Sequence, residues 1–90
     1  MKDQVNKLIE VCNRALSNIT VESGTIPRHR VNAELFAQLR SGALSCIYQH
    51  YGEKHPFYLE FDNFVKTPDK RDTERAKGIL AAVKSDLEKQ

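Results

Sequence analysis

Three observations predict that these 90 residues fold as a compact, all-α, four-helix domain. Four stretches carry apolar residues at the i, i+3, i+4, i+7 spacing of a helix, with polar residues opposite. Gly24, Pro27, Gly52, Pro56 and Pro68 fall between those stretches and punctuate them. The length suits one domain: a chain of this size buries somewhat over ~60% of its unfolded surface, which allows a single modest core.

The first stretch, about residues 2–20, places Val5, Leu8, Ile9, Cys12, Ala15, Leu16 and Ile19 on one face. Lys2, Lys7, Glu10, Asn13, Arg14 and Asn18 lie on the other. Residues 21–31 break the period and predict a loop, with Ile26 and Val31 tucked in as anchors. A second helix over 32–51 begins at Asn32, whose side chain can accept an orphan backbone N–H. Glu34 suits the positive end of its dipole, and Gly52 is a natural left-handed cap at its other end. Its face is Leu35, Phe36, Leu39, Ala43, Cys46 and Ile47, continued by His50 or Tyr51, and Gly42 with Ala43 would admit a close helix neighbour.

The third helix, about 56–66, accepts Pro56 in its first turn, where the missing N–H costs nothing. Phe57, Tyr58, Phe61, Phe64 and Val65 form its face. Five of the seven aromatic residues fall between Tyr51 and Phe64, so the second and third helices are expected to hold the centre of the core. The last helix, about 70–89, carries Ala76, Ile79, Leu80, Val83 and Leu87 in phase. Thr67 capping a helix that starts at Pro68 is the alternative beginning.

Composition narrows the function. The net charge of +2 is small, and by segment the basic residues are scattered among Asp and Glu. A dedicated nucleic-acid binder concentrates them on one face. The polar N-terminus holds no signal-peptide core, and no apolar run approaches the ~20 residues of a membrane span. A cytoplasmic setting is therefore expected, with Cys12 and Cys46 as small buried hydrophobes in a reducing environment.

Few constellations could carry chemistry. Cys46 and His50 share a helix face, with Cys12 and His55 as further donors, yet the closely spaced second pair that zinc requires is missing. His50, Lys54 and His55 flank one turn, but three residues in a tight turn supply neither an enclosed pocket nor an oriented nucleophile. No catalytic residue, metal ligand or cofactor site is expected. Arg28, Arg30, Lys70 and Arg71 could contact phosphate if their two loops converge.

The series Phe36, Leu39-Arg40, Ala43-Leu44, Tyr51-Gly52, Tyr58, Phe61 and Gly78-Ile79-Leu80-Ala81-Ala82 resembles a known kind of domain. It is similar to the small helical domain at the N-terminus of bacterial proteins with TIR-like or other defence-associated effector domains. The resemblance spans about residues 36–88 and rests on short motifs: an aromatic-Gly helix end, a short aromatic helix and a Gly-Ile-Leu helix start. Phe36 stands where such domains often carry Trp, and these 90 residues include no effector domain. The resemblance implies an accessory or assembly module without catalytic residues, fused to an effector further along.

The expected function is thus a non-catalytic protein-interaction or oligomerisation domain, binding a protein partner or itself through Tyr51, Phe57 and Tyr58. The alternative is a nucleic-acid-binding module using Arg28, Arg30, Lys70 and Arg71. A small-ligand pocket near His50, Tyr51 and His55 is a third possibility.

Overall fold

The computed structural model describes residues 2–24 and 28–89. Its element order is α1 (Lys2–Ser17), β1 (Thr20–Glu22), β2 (Arg28–Arg30), α2 (Ala33–Tyr51), α3 (Pro56–Phe64) and α4 (Lys70–Lys89). The four helices are those the periodicity predicts. Helix α1 packs most extensively on α4 and next on α2, while α3 lies against both α2 and α4. Helix α1 is therefore the spine of the core.

The loop expected over 21–31 is instead a short antiparallel ribbon, with Thr20 opposite Arg30, Val21 opposite His29 and Glu22 opposite Arg28. Helix α1 consequently stops at Ser17, before the β-branched run Ile19-Thr20-Val21 that favours extended backbone. Val31 is buried as an anchor, whereas Ile26 lies outside the described residues.

The core is Val5, Leu8, Val11, Cys12 and Ala15 of α1, Phe36, Leu39, Ala43, Cys46 and Ile47 of α2, and Ala76, Leu80, Val83 and Leu87 of α4, joined by Val31, Phe61 and Val65. The expected aromatic centre is corrected here. Of the five clustered aromatics only Phe61 is buried; Tyr51, Phe57 and Tyr58 are half-buried, and Phe64 is 52% exposed. At nine residues α3 is too short to turn more than one ring inward while its ends stay wet. Gly42 does mark a close approach, since a Cβ there would sit 3.0 Å from Leu8 Cδ2.

The helix ends follow their sequence signals with two adjustments. Asn32 Oδ1 accepts the Leu35 N–H at 3.0 Å, and His55 Nδ1 accepts the Phe57 N–H at 3.1 Å ahead of Pro56. Gly52 holds φ 91° and ψ 165°, positive but extended rather than helical, and its N–H donates to the Tyr48 carbonyl at 2.9 Å. Helix α3 ends at Phe64, with Val65 as its cap.

Helix α4 is capped by Asp69, not Thr67. The Asp69 carboxylate accepts the Asp72 N–H at 2.8 Å, and its carbonyl accepts both the Thr73 N–H and the Thr73 hydroxyl. Asp72 reaches back to accept the N–H groups of Lys66 and Thr67 at 3.1 and 2.8 Å. The two aspartates thus satisfy backbone N–H groups on both sides of the helix start. The Gly78-Ile79-Leu80 motif lies in the middle of α4, not at a helix start. On the α4 surface Lys70 pairs with Glu74 one turn on, at 3.9 Å.

Candidate functional site

Two surface grooves collect the residues that could act on something outside the chain. The first is apolar and lies between α3 and α4. Phe57, Glu60 and Phe64 line it from α3, and Arg75, Gly78, Ile79 and Ala82 from α4, around about 460 Å³. Arg75 stands over the Phe64 ring at 5.5 Å, a cation–π contact at the groove's edge. A Cβ built on Gly78 would meet nothing within 4 Å. That glycine costs about 1 kcal/mol of helix propensity in mid-helix and serves no packing within the chain.

Of the three expected interaction residues, Phe57 lines this groove and the other two do not. Tyr51 is fixed from α2 onto α4 by a hydrogen bond from its hydroxyl to Asp86 Oδ2 at 2.6 Å. Burial, then that bond and the Asp86 charge, push its phenol up to about 12. Its ring packs with those of His55 and Phe57 at 4.5 and 5.3 Å. Tyr58 meets the exposed ring of Tyr48 edge-on at 6.2 Å. Sequence periodicity missed Phe64 as a surface residue because it sits in phase with the face that Phe57 and Phe61 begin.

The second groove is lined by charged and polar residues and encloses about 620 Å³ between β2 and the start of α4. It is lined by Arg28, His29, Arg30, Thr67, Asp69, Lys70, Arg71 and Glu74. The two basic stretches, forty residues apart in sequence, do converge. Backbone pairing brings them together: Arg30 bridges Asp69, and the Val31 N–H donates to the Pro68 carbonyl at 3.1 Å.

Other candidates disperse. Cys46 is buried in the core while His50, one turn further along α2, is exposed, its ring edge-on to Tyr51 at 4.7 Å. No three His, Cys, Asp or Glu side chains among the described residues are placed to hold a metal. Burial pushes the Cys12 thiol up to about 11 and raises that of Cys46, which disfavours the reactive thiolate. A shallow hollow beside Tyr48, Tyr51, Gly52 and Lys54 does not include His50 or His55, whose Nδ1 is committed to capping α3.

Arg40 is a structural residue that periodicity does not reveal. Its Nε donates to the Val65 carbonyl at 2.8 Å, and Nη2 donates to the Asp62 carbonyl at 3.3 Å and to Asp62 Oδ1 at 2.9 Å. The guanidinium thereby caps the open carbonyl end of α3 from α2, at the negative end of the helix dipole.

No known family model, curated protein or solved structure matches this chain. No helix among the described residues is long and apolar enough to cross a membrane.

Proposed function

We propose that this domain is a non-catalytic self-association module whose contact face is the α3–α4 groove. The observation that carries the reading is a groove with an apolar floor and one charge of each sign at its rim, Phe57, Phe64, Ile79 and Ala82 between Glu60 and Arg75. A two-fold contact places residue i of one copy on residue j of the other, and j on i. A face bearing both Glu60 and Arg75 is complementary to itself under that operation. Phe64 supplies the aromatic anchor that interface centres favour. Gly78, idle within the chain, leaves room for a second copy's ring. The resemblance to accessory domains of bacterial defence effectors adds a setting in which assembly of a fused effector is the purpose.

Charge exchange tests the contact. Glu60→Arg or Arg75→Glu alone weakens association, because each sets like charges against one another. The two together restore it, because the pairing is merely inverted. If the double variant associates no better than either single one while all three remain helical, Glu60 and Arg75 do not meet across an interface and the proposal fails.

A further inference from the structure

The second groove concentrates charge in a way the linear sequence conceals. Among the described residues its lining holds four permanently cationic side chains, Arg28, Arg30, Lys70 and Arg71, against two carboxylates, Asp69 and Glu74. That excess equals the +2 net charge of the entire chain, so the rest of the molecule is electrically balanced. The carboxylates are also partly committed, Asp69 to the Asp72 N–H at 2.8 Å and Glu74 to Lys70 at 3.9 Å. The positive end of the twenty-residue α4 opens beside them. Among the described residues Arg71 has no carboxylate within ion-pair distance.

The groove's chemistry selects among anionic partners. Among the described residues no apolar side chain lines it, so an acidic peptide would find no pocket there for an anchoring side chain. A flat membrane would not reach into a concave site. A sugar-phosphate chain needs only cations at intervals. Arg28 and Arg30 sit at alternate positions of β2, on one face and roughly 7 Å apart, a step comparable to that between phosphates of an extended strand. Guanidinium groups match phosphate oxygens in bidentate fashion. We infer that this groove binds the backbone of a single-stranded nucleic acid, with Arg28 and Arg30 on successive phosphates and Lys70 and Arg71 on the opposite wall. Among the described residues its lining has no Phe, Tyr or Trp and offers bases His29 as its one ring, so binding is independent of sequence and weak. This inference does not rest on the self-association reading, which concerns the other groove.

The test is fluorescence anisotropy of a dye-labelled oligothymidylate titrated with the full chain at several salt concentrations. Three to four phosphate contacts predict log K falling against log salt with a slope of roughly −2 to −3, at about −0.7 per contact. Arg28→Ala and Arg71→Ala each reduce the slope by about 0.7 and weaken binding roughly tenfold at ~50 mM salt. Arg28→Lys and Arg71→Lys keep the slope, and Lys7→Ala, on exposed α1 surface, changes nothing. Absence of binding at low salt, a slope near zero, or equal loss in Lys7→Ala overturns the assignment. So does tighter, equally Arg28- and Arg71-dependent binding to phosphatidylglycerol vesicles or to polyglutamate, which would give the groove to a membrane or an acidic peptide.

Discussion

Replacing Arg40 by Met removes a guanidinium that joins α2 to the C-terminal end of α3 while keeping a side chain of similar reach. Two bonds to backbone carbonyls are lost, together with one to Asp62 Oδ1. Hydrogen bonds to a charged group contribute about 1.5–3 kcal/mol each when shielded. Here the Arg40 side chain is 31% exposed and water can reach the freed carbonyls, so the expected total is about 2–3 kcal/mol. For a chain of this size that lowers the thermal midpoint by roughly 10–20 °C, or the urea midpoint by about 2–3 M at an m-value near ~1 kcal/mol/M. Equilibrium urea unfolding followed by helical circular dichroism measures it. Asp62→Asn separates the ion pair from the carbonyl cap. With its carboxylate 49% exposed, Asp62 contributes under about 1 kcal/mol as an ion-pair partner. An Arg40→Met cost below about 0.5 kcal/mol would refute the capping argument, as would an Asp62→Asn cost equal to it.

The remaining predictions concern Tyr51 and Gly78. Because the folded phenol is pushed up to about 12, Tyr51 keeps its proton where the unfolded chain, with the ordinary value near ~10, already loses it. Its contribution is therefore fully present below about pH 10 and is lost as pH rises through about 12. Unfolding free energy measured from neutral pH upward should be flat and then fall, with the fall reduced in Tyr51→Phe. A Tyr51→Phe profile identical to the parent's would contradict this. Gly78→Ala should stabilise the monomer by about 0.5–1 kcal/mol in urea unfolding, since the added methyl meets nothing and α4 gains propensity. Destabilisation would show that the site is more crowded than described.

The helices were legible because each depends on a pattern local to one stretch: apolar spacing, Asn32, Gly52 and Pro56. The ribbon was not, because three-residue strands are too short for an alternating pattern to separate from loop. What forms it is pairing between the two strands and a bridge from Arg30 to Asp69, a contact between distant segments. Asp69 is a favoured N-cap residue type, obscured by the competing Thr67-Pro68. The aromatic cluster misled by composition: large rings mark contact area, but a nine-residue helix with two exposed ends cannot bury them all. Arg28, Arg30, Lys70 and Arg71 were recognisable as cations, and their meeting was conditional on a loop geometry that only three dimensions supply. The α3–α4 groove escaped because Phe64 and Gly78 belong to different helices and look like a core residue and a helix start.

Self-association through the α3–α4 groove is tested most directly by light scattering after size exclusion over a wide concentration range. The proposal predicts a mass that rises from the monomer's 10.3 kDa towards twice that value as concentration increases. Phe64→Glu, which puts a charge on an exposed position lining the groove, should stay at 10.3 kDa with an unchanged helical spectrum. A parent chain that remains at 10.3 kDa throughout, or a Phe64→Glu variant that associates as the parent does, would contradict it.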